Sequence, residues 1–133
     1  MPPRKCTIAI VEDDASYRCA VELLLRASGF EAHTFASAEE FLRSTAPELH
    51  ACLIIDIHLP GLTGFELFDQ LVASASPRPA IFITGQDADS LWERASRIPD
   101  SVYLTKPFVG RELLEALQSL LRRGDSDAEN PTI

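Results

Sequence analysis

The sequence lacks the close cysteine pairs of a zinc-binding protein and the long apolar runs of a membrane protein. It has three cysteines among 133 residues, Cys6, Cys19 and Cys52, an odd number without the close pairs that hold zinc. We interpret them as reduced and mostly buried thiols. No apolar run comes near the roughly 20 residues that a membrane-spanning helix needs, so no membrane insertion is expected.

Positive charge is also scarce. Twelve lysines and arginines stand against twenty acidic residues, for a formal charge of −8 and a pI near 4.8. This charge disfavours general binding to nucleic acid or to anionic membranes. The start, "MPPRKCTIAIVEDD", reaches its acids after about six apolar residues, too few for a signal-peptide core of about 7–15. We therefore expect a cytoplasmic protein without direct nucleic-acid contact.

The chain does have a regular alternation of two patterns. Short β-branched or apolar runs are each followed by a stretch with helical periodicity. Asp14 is interpreted as the N-cap of the first helix, Gly29 as its stop, and Ser37 with Glu40 as a capping box. The predicted strands are 6–11, 30–35, 51–56, 79–84 and 101–105, and the predicted helices lie within 15–28, 40–45, 64–74, 89–98 and 110–123.

These elements predict one α/β domain. The domain is expected to span residues 1–124 with its core at 6–123, and residues 125–133 are expected to be a flexible polar tail. The central runs are apolar without alternation, as parallel strands are when helices cover both faces. We therefore expect a doubly wound parallel sheet of five strands with five helices. Ligands bind such sheets beyond the carboxyl ends of the strands.

Chemically active side chains follow four of these strands. Glu12 and Asp13 follow the first strand, Asp56 ends the third, Thr84 ends the fourth, and Lys106 follows the fifth. Carboxylates brought close together repel unless a cation joins them, and oxygen ligands at a phosphate-handling site suit Mg²⁺. An ionised Asp56 at the end of a buried strand is costly unless compensated. Either it has a structural partner, or its charge serves chemistry.

The chemistry that fits these residues is phosphoryl transfer. A carboxylate such as Asp56 can attack a phosphoryl group and form an acyl phosphate. This reaction depends mainly on positioning and on neutralising charge on the phosphoryl oxygens. Lys106 and Mg²⁺ supply positive charge in this scheme, while the Thr84 hydroxyl and backbone N–H groups after Asp56 donate hydrogen bonds. Each residue alone has an ordinary structural interpretation, and their joint placement favours a site.

Four blocks of the sequence resemble the receiver domain of two-component response regulators. They are "IVEDD", "LIIDIHLPGLTGFEL", "IFITG" and "YLTKPF", and the resemblance covers about residues 6–123. The "TG" after the fourth strand is similar to the subgroup of nitrogen-fixation regulators of rhizobia. The resemblance implies a flavodoxin-like fold with strand order 2-1-3-4-5.

The resemblance also implies a role for each acid. Asp56 is the implied phosphoacceptor, which takes its phosphate from a sensor histidine kinase. Glu12, Asp13, Asp56 and the backbone carbonyl of His58 are the implied ligands of Mg²⁺. Glu12 departs from the family pattern, because aspartate is commoner at this position, and its extra methylene favours metal contact through water.

The remaining implied roles concern the phosphoryl oxygens and the switch. Thr84 and Lys106 are expected to bind the oxygens, and the Lys106–Pro107 peptide is often cis in the family. Tyr103 matches the aromatic switch position and is expected to rotate into space that Thr84 vacates on phosphorylation.

Three further positions depart from the family or bear on rates. His58 and Gln86 stand where receivers line the approach of water, so His58 either tunes the acyl-phosphate lifetime or contributes only its backbone. Pro99 must end the fourth helix early, which alters the output surface formed by the fourth helix, fifth strand and fifth helix.

We therefore expect a stand-alone receiver that acts as a signalling switch and not as a metabolic enzyme. It is expected to bind a downstream protein or to relay phosphate to a phosphotransfer protein, and a homodimer could form through the output surface. One rival interpretation is the receiver portion of a longer DNA-binding regulator. Others are an aspartyl-phosphate phosphohydrolase, which usually has aspartate where His58 stands, and an interaction module independent of phosphorylation.

Overall fold

The structure is a computed structural model, and it describes four stretches of the chain. They are residues 7–44, 50–74, 78–85 and 97–129, with side chains up to residue 122 in the last stretch. Cys6, Gln86 and nearly all of the predicted fourth helix lie outside these stretches. The described part contains five strands and four helices.

The strands and helices follow the predicted order. The sheet is parallel throughout, with strand order β2-β1-β3-β4-β5, so the predicted doubly wound fold is confirmed. The elements are β1 (Thr7–Val11), α1 (Ala15–Ala27), β2 (Glu31–Phe35), α2 (Ala38–Arg43), β3 (Cys52–Asp56), α3 (Gly64–Ala73), β4 (Ala80–Thr84), β5 (Ser101–Thr105) and α4 (Gly110–Glu129).

Two hydrophobic clusters cover the two faces of the sheet. Ile55 of β3 belongs to the cluster that includes Phe65 of α3, whereas its neighbour Ile54 belongs to the cluster that includes Leu25 of α1 and Leu117 of α4. Successive side chains of a strand point to opposite faces, and here both faces are buried. This is why the central strands read as unbroken apolar runs.

The helix ends follow their capping residues. The Asp14 carboxylate accepts from the backbone N–H groups of Ser16 and Tyr17 at 2.9 and 3.2 Å, so its N-cap prediction is confirmed. Gly29, after the end of α1, has a φ of +93°, which favours glycine. Ser37 accepts from the Glu40 N–H, as predicted, but Glu40 reaches back to the N–H of Ala36 and not to that of Ser37.

The C-terminal helix is longer than predicted. The sequence placed its end at residue 123, because Gly124 follows, but α4 continues to Glu129. A glycine inside a helix costs only about 1 kcal/mol relative to alanine, and the first proline beyond it is Pro131. Within the described residues, no helix combines the length and the apolar character needed to cross a membrane.

The two described cysteines differ from each other. Cys52 on β3 is buried, as predicted, but Cys19 on α1 is exposed. The prediction of a mostly buried set is therefore wrong for Cys19, which lies on the solvent-facing side of an amphipathic helix.

Candidate functional site

The carboxyl ends of the parallel strands place the predicted residues at one edge of the sheet. Asp56 on β3 pairs with Ile83 on β4, one residue before Thr84, and Thr84 pairs with Thr105 on β5. Glu12 follows β1, which pairs with β3 on its other side. Strand pairing therefore brings together side chains that are far apart in the sequence. Lys106, for example, contacts Glu12, which lies 94 residues earlier in the chain.

Lys106 forms the centre of the charged group. Its Nζ lies 2.7 Å from Glu12 Oε1 and 3.2 Å from Asp56 Oδ2, and 4.4 Å from the centre of the Tyr17 ring. Asp56 thus does have an ion-pair partner, which was one of the two interpretations of its charge. That partner is itself one of the predicted site residues, and it is shared with a second carboxylate.

The backbone around Lys106 holds it at this edge. The Lys106 N–H donates to the carbonyl of Thr84 at 2.7 Å, which continues the pairing of β4 and β5 past Thr105. The Lys106–Pro107 peptide bond is cis, as the resemblance implied.

The loop after β3 holds the other oxygen of Asp56. The His58 N–H donates to Asp56 Oδ1 at 2.8 Å, so each carboxylate oxygen has a separate donor. Gly64, at the start of α3, packs so tightly that a Cβ there would lie 2.6 Å from the Asp56 carbonyl oxygen. Only glycine permits this approach of α3 to the end of β3.

Thr84 is fully buried at the end of β4. Its Oγ1 lies 3.0 Å from Nε2 of the His58 ring. The sequence predicted that Thr84 lies near Asp56, but nothing in it indicated that the His58 side chain contacts Thr84.

The electrostatics of the site reflect buried carboxylates in close contact. Burial raises the pKa of Glu12 to about 7, and the hydrogen bond with Asp56 acts in the same direction, while the contact with Lys106 opposes it. Burial disfavours the charged form of Lys106, but its contacts with Glu12 and Asp56 outweigh this and raise its pKa. One ammonium therefore stands among more negative charge than it can neutralise.

The acids at this edge fit a hard divalent cation. Ligand oxygens of Glu12, Asp13 and Asp56 all lie within 4.8 Å of one another, and Glu12 and Asp56 are buried while Asp13 is exposed to solvent. Carboxylate oxygens with access for water suit Mg²⁺, which takes oxygen ligands and usually keeps several of its waters.

The predicted switch residue Tyr103 lies in the middle of β5 and not at its end. It is the third residue of β5, where it pairs with Phe82, and it is half-buried against the core. Burial raises its pKa. Thr84 and Tyr103 therefore belong to adjacent strands, but they are not both at the strand ends.

Two residues near the site were missed by sequence reasoning. The Tyr17 ring contacts Lys106, and Arg18 Nη1 donates to the Glu12 carbonyl oxygen at 2.8 Å. Both residues lie in the first turn of α1, directly after the Asp14 cap. Their position after the acidic run was the only feature of the sequence that could have indicated that they lie near the site.

Comparison with known proteins gives a family match over most of the chain. The family model of the response regulator receiver domain matches residues 8–118. Nodulation protein W of Bradyrhizobium diazoefficiens is 38% identical over 119 residues, which are 90% of this chain and 52% of that protein. The transcriptional regulatory protein FixJ of the same organism is 29% identical over 126 residues, which are 95% of this chain and 62% of that protein.

The chain thus spans between half and two thirds of the length of these relatives. Among solved structures, a CheY-like response regulator receiver domain protein from Methanospirillum hungatei superposes with a TM-score of 0.85 at 25% identity. The match covers 93% of this chain and 99% of that one.

Proposed function

Because the chain belongs to the response regulator receiver domain family, we propose that it is a phosphoacceptor switch in which Asp56 takes a phosphoryl group from a sensor histidine kinase. Receiver domains are signalling switches of two-component systems, in which an aspartate is phosphorylated. The observation that supports Asp56 as this aspartate is its place between Lys106 and the acids Glu12 and Asp13.

The proposed transfer is an in-line displacement at phosphorus. One Asp56 oxygen attacks the phosphoryl group of a phosphohistidine, and an O–P bond forms as the N–P bond breaks. The electron pair of that bond returns to the imidazole, which takes a proton from solvent. Lys106 is already 3.2 Å from Asp56 Oδ2, so its ammonium can contact the incoming phosphoryl oxygens with a small movement.

Glu12, Asp13, Asp56 and the backbone carbonyl of His58 are the groups that would hold Mg²⁺. When bound, the ion supplies positive charge that offsets the charge of the phosphoryl oxygens. The His58 N–H already donates to Asp56 Oδ1, which orients the carboxylate. Thr84 is fully buried at the end of β4, and its hydroxyl is the proposed hydrogen-bond donor to a phosphoryl oxygen.

The proposed output is a change in partner binding. Phosphorylation adds about −1.5 to −2 charge and three acceptor oxygens, which would draw Thr84 toward Asp56 and alter the packing of Tyr103 on the adjacent strand. The surface of β5 and α4 would then bind a downstream protein, a phosphotransfer protein or a second copy of the chain.

Intact mass spectrometry after incubation with acetyl phosphate and Mg²⁺ tests the proposal. The wild type should gain one phosphate, and Asp56→Asn should gain none. Asp69→Asn is the matched control, because Asp69 is an exposed aspartate on α3, and it should behave as the wild type. An adduct that persists in Asp56→Asn would place the acceptor elsewhere.

A second candidate is the receiver portion of a longer DNA-binding regulator. The chain covers 62% of the transcriptional regulatory protein FixJ and 52% of nodulation protein W. Sequencing the gene beyond the codon for Ile133 distinguishes the candidates: a continuing frame that encodes a DNA-binding domain supports the second, and a stop codon supports the stand-alone switch.

A further inference from the structure

His58 contacts both functional groups between which a phosphoryl group would have to fit. Its backbone N–H donates to Asp56 Oδ1 at 2.8 Å, and its ring Nε2 lies 3.0 Å from Thr84 Oγ1. Asp56 and Thr84 are buried, whereas His58 is exposed. The imidazole therefore reaches from the loop after β3 to the end of β4 and forms the solvent-facing part of this group.

The hydrogen bond to the ring limits what the Thr84 hydroxyl can do. A threonine hydroxyl has one proton to donate, and a β-branched side chain that is fully buried has few rotamers available. When the His58 ring carries its proton on Nδ1, Nε2 accepts from the Thr84 hydroxyl. To donate to a phosphoryl oxygen on Asp56, the hydroxyl then has to turn from Nε2 toward phosphorus. The hydrogen bond to His58 is then replaced by the bond to the phosphoryl oxygen, because the hydroxyl cannot donate to both.

We propose that His58, as the tautomer with an unprotonated Nε2, is a positioning residue whose ring accepts from the Thr84 hydroxyl, holds it in its unphosphorylated arrangement and thereby opposes phosphorylation. This inference rests on the proposed function, because it assumes that the phosphoryl group arrives on Asp56. Losing one neutral hydrogen bond shifts an equilibrium by about two- to tenfold. Removing the ring nitrogen should therefore favour the phosphoryl-bound state by that factor.

A double-mutant cycle with a phosphoryl analogue tests the coupling. The analogue is beryllofluoride, titrated with Mg²⁺ present. His58→Phe keeps a ring without the nitrogen, and Thr84→Val keeps the shape of threonine without the hydroxyl. His58→Phe should bind the analogue about two- to tenfold more tightly than the wild type. In the Thr84→Val background, the same substitution should change the affinity by less than about twofold.

His33→Phe is the matched control, because His33 is an exposed histidine in the middle of β2 and should leave the affinity unchanged. Equal effects of His58→Phe in the two backgrounds, or weaker binding in the wild-type background, would overturn the proposal.

A second measurement needs neither metal nor analogue. In ¹³C-methyl NMR spectra of the unphosphorylated protein, His58→Ala should shift the Thr84 methyl signal, whereas His33→Ala should not. An unmoved Thr84 signal would show that the contact is missing and would end the inference. Failure of the wild type to bind beryllofluoride would instead contradict the proposed function, while the NMR result would still report on the contact.

Discussion

At the scale of single residues, the site depends on one lysine shared by two buried acids. Lys106 lies 2.7 Å from Glu12 and 3.2 Å from Asp56, and both carboxylates are almost fully buried. Carboxylates in this position repel each other and are poorly solvated. Lys106 therefore stabilises both carboxylates in the folded protein, and in the proposed function the same charge contacts the phosphoryl oxygens.

Lys106→Met should separate these two contributions. We expect the rate of phosphorylation by acetyl phosphate to fall about 10²-fold, as happens when one charge-stabilising donor is removed from a transition state. Phosphate-affinity electrophoresis over time measures the rate. Arg111→Met, at an exposed cation on α4, should phosphorylate normally, and a Lys106→Met rate within about twofold of the wild type would show that the lysine is not needed.

The two described thiols should differ sharply in reactivity. Burial raises the pKa of Cys52 to about 12, from an ordinary value of 9.0, whereas Cys19 is exposed. Iodoacetamide at pH 8 should label Cys19 and leave Cys52 unmodified until the protein unfolds, because the thiolate is the nucleophile. Peptide mapping by mass spectrometry measures this, and rapid labelling of Cys52 in the native protein would contradict its burial.

The raised pKa of Cys52 also makes the free energy of unfolding depend on pH. The folded state keeps the Cys52 proton up to about pH 12, while the unfolded chain releases it near 9.0. The contribution of Cys52 to stability is therefore complete below pH 9 and declines as the pH rises above it.

At the scale of elements, close approach of α3 to β3 sets the geometry of the loop that follows Asp56. Thr63 caps α3 and forms a full capping box with Glu66, and the Gly64 N–H donates to the carbonyl of Ile57. The start of the helix is thus hydrogen-bonded to Ile57, the residue that links Asp56 to His58.

Gly64→Ala should break this junction. The added Cβ would lie 2.6 Å from the Asp56 carbonyl oxygen and 2.9 Å from Ile57 Cα, and backbone atoms cannot move aside as a side chain can. We expect a loss of about 1–3 kcal/mol in the free energy of unfolding, measured by urea denaturation. Gly85→Ala is the control, because its Cβ would meet nothing within 4 Å, and equal stabilities of the two variants would refute the packing argument.

Gly124 tests whether the last helix really continues. Inside a helix, Gly124→Ala should raise the free energy of unfolding by about 0.5–1 kcal/mol, and α4 extends to Glu129. If Gly124 were instead a left-handed helix stop, as its sequence position predicted, the same substitution would be destabilising. Thermal unfolding followed by circular dichroism decides between the two signs.

At the scale of the whole molecule, charged residues at the ends of three strands share one edge of the sheet, so ligand binding there should stabilise the entire fold. The acids come from segments after β1 and at the end of β3, while the lysine follows β5. A cation bound by the folded state alone stabilises it by mass action. The proposed Mg²⁺ site therefore has a consequence for unfolding.

Mg²⁺ at ten times its Kd should raise the free energy of unfolding by about 1.4 kcal/mol, with the melting temperature rising as the concentration increases. Asp13→Asn should weaken this dependence, because Asp13 is one of the three proposed carboxylate ligands. Asp69→Asn, outside the cluster, should retain it. A melting temperature that is insensitive to Mg²⁺ in the wild type would argue against the proposed ligand set.

The sequence by itself predicted the order of the described strands and helices and a set of candidate site residues. Unbroken apolar runs at 51–56 and 79–84 required a parallel sheet covered on both faces, and the polar residues after each run had to lie at one edge. Both conclusions follow from the pattern of apolar and polar residues along short stretches of the chain. The end of α4 was not determined in this way, because Gly124 fits a helix stop and a helix interior equally well.

Only the tertiary structure decided which atoms meet. The sharing of Lys106 between Glu12 and Asp56, and the reach of the His58 ring to Thr84, depend on strand register and on loop direction. Both are set by packing between segments that are distant in the chain, and no run of neighbouring residues encodes them. The candidate site residues could therefore be predicted from the sequence, whereas the contact between the His58 ring and Thr84 could be found only once the strands were paired.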